Sequence, residues 1–317
     1  MRIVSLAPAA TEIVFALGLG EELVGRSHLC DHPPEALEVP VVTAARGEGT
    51  ADRPRDIHDR VRMAGRSGTP LARLDPRALR EARPDVILTQ STCGAWAVSA
   101  GQATEAAREL PGEVTVVSLD PVSIEGIFNA ISTVGAFAEA EDEAVGLLEL
   151  LRSRLGVLED RVLERRLAGV PPRRAVVLEW LDPPFASGHW LPEMVRRAGG
   201  WEVLGREGER SVETSWDQVR QVDPDVIVAA PCGSDAEEAA AAFELVEFPA
   251  WFDQLRAVRE GELFAVDADA LFGRPGPRVI DGIGLLAELF DPEGMEGSAP
   301  EGSWVPLGIV GVADAGR

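Results

Sequence analysis

At 317 residues and 33.8 kDa, with 45% apolar and 26% charged residues, the chain has ordinary globular composition, which excludes fibrous, collagen-like and wholly disordered classes. It carries 53 acidic residues against 30 basic ones, a net charge of −23. Such a field repels phosphate backbones and anionic lipid, so no nucleic acid partner and no membrane insertion are expected.

The chain opens on a strand-like run, Arg2 to Leu6, followed by a helical pattern from Thr11 to Leu19 and a second strand at Leu23 to Gly25. Thr11 reads as the N-cap of that first helix. Residues 44–70 are rich in Gly, Arg and Asp and read as a long loop with a short helical turn near Ile57 to Met63; His58 within it reads as solvated. Val86 to Leu88 and Val114 to Val117 are further buried strands, each preceded by a helix. This alternation predicts a parallel sheet covered on both faces.

From Ser123 to Leu167 apolar residues recur at three- and four-residue steps, among them Ile127, Ile131, Val134, Leu148 and Leu155. The pattern predicts a long helix of about 25 to 35 residues, a strut between two lobes. A second α/β region follows, with strands at Arg174–Trp180, Val226–Val228 and Leu263–Val266 and helices near Leu191–Ala198, Trp216–Val222 and Pro277–Phe290. The predicted organisation is therefore an N-terminal lobe over 1–122, an interlobe helix region over 123–167, a C-terminal lobe over 168–292 and an extension over 293–317 that is loosely packed. A ten-residue internal repeat supports two related lobes: Leu79 to Leu88 and Val219 to Val228 both read as a helix stopped before Pro and followed at once by Asp and an apolar strand.

In open parallel sheets ligands bind beyond the carboxyl ends of the strands. The segments there are Ser27 to Pro34, with His28, Cys30 and His32; Gln90 to Trp96, with Cys93; Trp180 to Trp190, with Phe185 and His189; and Pro231 to Gly233, with Cys232. Two readings compete for this collection. One is a cleft lined by flat aromatic surface for a planar, metal-containing ligand; the other is that Cys packs as a small hydrophobe and Trp fills gaps. Arg274, in Gly273 to Arg278, is placed either to reach an amide or phosphate or to sit in solvent. Dinucleotide, NTP, hydrolase and zincin motifs do not occur.

Arg2 to Ile13, Cys30 to Glu35, Leu74-Asp75 with Arg83 to Asp85, Asp182 to Phe185 with Gly188 to Trp190, and Arg274 to Arg278 together resemble the cobalamin-binding members of the substrate-binding proteins of iron-chelate and vitamin B12 ABC transporters, of the helical-backbone, class III type. The resemblance spans Arg2 to Pro292. It implies an α/β fold of two Rossmann-like lobes joined by one long rigid helix, with the ligand cleft between the lobes. Cobalamin or another corrinoid is the implied ligand, a small planar metal chelate. By position, His32 stands where the family often has an aromatic ring, Phe185 follows the shared Asp-Pro-Pro, and Arg274 matches the family's arginine. Cys93, Trp96, Trp180 and Trp190 complete the expected ligand contacts, and His189 is the candidate axial ligand of cobalt. The family docks on its ABC permease through an acidic residue on each lobe; Asp217 keeps that charge, but Arg77 reverses it, which speaks against permease docking.

Three readings of function follow. The first is a non-catalytic binder of cobalamin that scavenges, stores or hands over a corrinoid in the cytoplasm, since the sequence as written opens on a strand and its three cysteines form no CxxC pair. The second is an enzyme on the same scaffold, with a metal ion or haem held by Cys and His loops, His28, Cys30 and Cys232 being the alternative ligands. The third is a periplasmic transporter component whose export signal lies upstream.

Overall fold

The run Ile3-Val4-Ser5 has no polar face to offer water, and in the computed structural model, which describes residues 1–46, 53–67, 71–91 and 98–308, it forms β1 (Ile3–Ser5), buried on both sides. The chain folds into two compact units. The first comprises residues 1–52, 59–121 and 125–151; the second comprises 53–58, 122–124 and 152–317.

In the first unit β1 leads to α1 (Pro8–Ala16), β2 (Leu23–Arg26), β3 (Thr43–Ala45), α2 (Pro54–Ser67, whose first turn belongs to the second unit), β4 (Ala72–Leu74), α3 (Pro76–Ala82), β5 (Val86–Thr89), α4 (Ala100–Arg108) and β6 (Thr115–Ser118). The main sheet runs β2-β1-β5-β6 with every neighbour parallel, and β3 pairs with β4 as an antiparallel ribbon. Val4, Leu6, Leu79 and Ile87 anchor its core. Two helices follow, α5 (Ile124–Phe137) and α6 (Glu141–Leu167).

The second unit contains β7 (Arg174–Leu181), β8 (Pro184–Ala186), α7 (Leu191–Arg197), β9 (Trp201–Glu202), β10 (Val212–Glu213), α8 (Trp216–Val222), β11 (Val226–Ala229), α9 (Ala236–Glu244), α10 (Arg256–Arg259), β12 (Leu263–Val266), α11 (Ala268–Leu271), α12 (Val279–Phe290) and β13 (Trp304–Pro306). Its parallel strands lie in the order β9-β7-β11-β12, which repeats the first unit's order of second, first, third and fourth strand. Antiparallel β8, β10 and β13 extend the sheet.

The sequence repeat is a structural one. Asp85 accepts the N–H of Arg2 at 2.8 Å, and Asp225 accepts the N–H of Arg174 at 2.8 Å. Each of these Arg side chains then donates to the last helical carbonyl of the preceding helix, Arg2 to Ala82 at 2.7 Å and Arg174 to Val222 at 2.6 Å. One carboxylate and one guanidinium thus tie a helix end to the start of a central strand, and both helices close on a left-handed residue, Arg83 (φ 46°) and Asp223 (φ 38°).

Four sequence expectations change. Thr11 is no cap: α1 starts earlier, at Pro8 behind Ala7, because Pro suits the first helical position, and the buried Thr11 hydroxyl donates to Ser5 Oγ at 2.8 Å. The periodic stretch 123–167 is two helices, interrupted where Glu139 adopts φ 55°; α6 alone supplies the long helix, 27 residues or about 40 Å. The short turn expected near Ile57 is a 14-residue α2, opened by Pro54 and hidden in the sequence by its charged surface. As far as residue 308 the C-terminal segment is not loose: Met295 is buried, and β13 pairs antiparallel with β12 through Trp304↔Val266.

The two corners differ in burial, which sets their energetic weight. Asp225 is largely enclosed and also pairs with Arg256, whereas Asp85 is exposed. Asp225→Ala should cost about 1–3 kcal/mol and Asp85→Ala under about 1 kcal/mol. Thermal unfolding of the two variants checks this, and equal shifts in Tm would refute the ranking.

Candidate functional site

At the carboxyl end of β7 in the second unit, Trp180 and Phe185 are register partners across the β7–β8 hairpin, so their rings share one face of the sheet. Both are half-buried. The first turn of α2 lies on this hairpin: the Trp180 indole N–H donates to the Pro54 carbonyl at 3.1 Å, Arg55 bonds Asp182 at 2.5 Å, and the His58 ring sits 5.6 Å from that of Phe185. His58 is therefore part of the aromatic cluster and not a solvated loop residue. The signal available in the sequence was the Pro54 helix start, which places Arg55 and His58 three residues apart on one helix face.

Behind the hairpin, two carboxylates hold the loop that carries His189. Glu179 accepts from the Gly188 N–H at 2.7 Å and from the Ser211 hydroxyl at 2.6 Å. Glu202 accepts from the N–H groups of Val177, Leu204 and Gly205 and from the Ser187 hydroxyl, at 2.9–3.2 Å. A Cβ at Gly188 would lie 2.4 Å from the Ser211 nitrogen, so only glycine lets the two loop segments meet. His189 follows in the left-handed region at φ 52°, its N–H bonded to the Glu209 carbonyl at 2.6 Å. Burial first, and the Arg210 charge second, hold its imidazole below the ordinary pKa, which favours the neutral ring.

The remaining predicted residues of this unit divide by burial. Trp190 is 3% exposed and spends its indole N–H on the Phe272 carbonyl at 2.9 Å, so it lies beneath the face and supports it. Arg274 is also buried and pairs with Asp269. Cys232 is exposed just beyond β11, with its N–H donating to the Glu179 carbonyl at 3.1 Å. A Cβ built on Gly273 would come within 3.8 Å of its sulfur, which puts Cys232 beside the Arg274 loop.

In the first unit the loop after β2 positions His28, Cys30 and His32. His28 Nδ1 lies 2.7 Å from the Thr43 hydroxyl, and burial, with the Arg26 charge adding to it, pushes its pKa down. Cys30 is fully buried, with its carbonyl taking a bond from Arg26 at 2.9 Å. His32 is half-buried and precedes Pro33. Cys93 and Trp96 lie outside the described residues. Among the described residues no three His, Cys, Asp or Glu side chains form a group that could hold a metal ion.

Glu179 gives the site a pH dependence. Although part of the residue is exposed, its carboxyl is enclosed, and burial, partly offset by the Ser211 and Gly188 bonds, pushes it up to about 7 from an ordinary 4.5. Between these values the folded protein keeps a proton that the unfolded chain has released, so stability falls as pH rises through the window and levels off above pH 7. Glu179→Gln should flatten that slope and raise Tm at pH 8 by a few degrees; melting curves from pH 4.5 to 8 that run parallel for the two proteins would contradict the enclosed charge.

Comparison with known proteins identifies the family. The model of the family described as periplasmic binding protein matches residues 3–270. The vitamin B12-binding protein of Vibrio cholerae is 26% identical over 285 residues, 89% of this chain and 86% of that one. An uncharacterized ABC transporter substrate-binding lipoprotein of Bacillus subtilis is 25% identical, over 92% of this chain and 80% of its own. A periplasmic haem-binding protein from Pseudomonas aeruginosa superposes with a TM-score of 0.68 at 20% identity, covering 92% of this chain and 93% of that one. The match to the family model over residues 3–270, most of the chain, leads to one conclusion: it is a member of the periplasmic binding protein family.

Proposed function

We propose that the protein binds cobalamin or a closely related corrinoid, without catalysis, and that the Trp180–Phe185 hairpin is the principal contact. The paired rings at the carboxyl end of β7 carry the reading, because two flat side chains on one sheet face suit the broad apolar face of a macrocycle. The B12-binding relative, matched over most of both chains, supports the choice of ligand. His58 extends the aromatic surface, His189 offers a neutral imidazole to the axial position of cobalt, and Arg274 with Cys232 borders the amide periphery. His32, Cys93 and Trp96 are assigned to ligand contact from the first unit's loops on the family resemblance.

Haem is the second reading. A neutral His189 imidazole ligates iron as readily as cobalt, and a flat aromatic face does not discriminate between the two macrocycles. We place the binder in the cytoplasm, in scavenging, storage or hand-over; three cysteines without a CxxC pair support a reducing compartment. Recovery of the tagged full-locus product in a periplasmic or membrane fraction would overturn that placement, and Arg77 at the position of the family's acidic docking residue makes a permease complex the less favoured use.

A visible-absorption titration with hydroxocobalamin, backed by calorimetry, tests the ligand. Saturable one-to-one binding is expected, weakened about tenfold, or about 1.4 kcal/mol, by Phe185→Ala. A shift in the cobalt band that disappears in His189→Ala would identify the axial ligand. No binding of hydroxocobalamin at high micromolar concentration, with haemin binding in its place, would replace the first reading by the second.

A further inference from the structure

The repeated corner of the two units has the same backbone and opposite charge. α3 and α8 align residue for residue, so Arg77 corresponds to Asp217, Arg80 to Arg220 and Arg83 to Asp223. In the second unit these charges are used locally: Asp223 pairs with Arg256 at 3.0 Å, and the Arg220 guanidinium lies 4.8 Å over the Trp251 ring. In the first unit they surround a concavity of about 650 Å³ lined by Arg2, Arg77, Arg80, Glu81, Arg83 and Pro111. Arg80 and Arg83 are exposed and make no ion pair among the described residues, while Arg77, with its side chain 86% exposed, has a single pair, to Glu81.

Two of these cations stand where local physics disfavours them. Arg77 is in the first turn of α3, against the positive end of the helix dipole, where Asp217 of α8 is the favourable choice. Its pair to Glu81 has the weaker order for a helix, with the cation N-terminal to the anion. Arg83 adopts the left-handed conformation that glycine or asparagine takes more cheaply. Helix stability therefore does not account for this cluster, and in a chain of net charge −23 a patch with this excess of cations runs against the surrounding field.

We propose that this corner of the first unit is a docking surface for an acidic segment of a partner protein. Charge complementarity selects that occupant: exposed guanidiniums spaced along a helix and its following turn meet several carboxylates of an extended or helical segment, and none is buried as it would be in a built small-anion pocket. The surface is independent of the ligand reading, because none of its residues belongs to the segments that carry the aromatic cluster.

The test uses the full chain and a fluorescein-labelled decaglutamate peptide, followed by anisotropy at about 20 mM and about 150 mM salt. The expected result is saturable binding that weakens with salt, falls at least about tenfold in Arg77→Glu with Arg80→Glu, and stays within about twofold in Arg220→Glu. Glutamate at position 77 suits the helix dipole, so the double variant should keep the parent melting curve and its hydroxocobalamin titration. Absence of saturable peptide binding, or equal binding by the double variant, would overturn the proposal. Tripolyphosphate binding more tightly than the peptide would mark a small-anion site instead, and self-association in sedimentation that the double variant abolishes would make the partner a second copy; either result also overturns it. Unchanged hydroxocobalamin binding in the double variant separates this outcome from any failure of the ligand reading.

Discussion

Parallel pairing of β7 with β11 and of β11 with β12 is the constraint on which the rest of the second unit depends. Parallel strands deliver all their carboxyl ends to one edge of the sheet, so the chain must leave Trp180, near the end of β7, and Cys232 and Arg274, on loops, at that edge whatever else it does. The edge is assembled from segments far apart in sequence and needs no further instruction to bring them together. What remains open is which loops stay in place, and here buried polar groups decide. Glu202, with four donors, and Glu179, with two, fasten Ser187, Gly188 and Ser211 to the sheet, and His189 rides on that fastening. Both carboxylates bear the cost, since burial pushes each above its ordinary pKa despite these donors.

Periodicity made most of this fold legible. Strands such as Val226–Ala229 and Leu263–Val266 are short apolar runs bounded by turn residues, and α8 matched its apolar and polar spacing at both ends. The repeat, noticed as ten residues of shared grammar, held a three-dimensional device in Asp85 and Asp225 that only coordinates could expose, because the partners Arg2 and Arg174 precede other strands. Legibility failed where tertiary packing overrides pattern. α2 has charged residues around most of its circumference, and α9 is an alanine run whose start is marked by the Asp235–Glu238 capping box.

Within the candidate site the residue types were legible and their placement was not. Trp180, Phe185 and His189 could be read as neighbours of a strand end, but the same reasoning placed Trp190 beside them, and it faces inward because its indole has the Phe272 carbonyl to bond. His58 was passed over since nothing in a charged loop shows which turn will lie on which hairpin; that depends on Asp182 and Pro54, each supplying one polar contact across more than a hundred residues. Charge, by contrast, could be read directly, and Arg77 against Asp217 and Arg83 against Asp223 are among the features by which the two corners are distinguished.

The return of the chain to form β13 changes what the C-terminal segment is for. Without it, β12 would be a sheet edge with Leu263, Phe264 and Ala265 offering unpaired backbone groups to any other extended chain. β13 covers that edge with three residues and ends on Pro306, which has no N–H to recruit another strand. The segment acts as a terminator of sheet growth, which leaves β12 no open edge on that side for a second extended chain to extend.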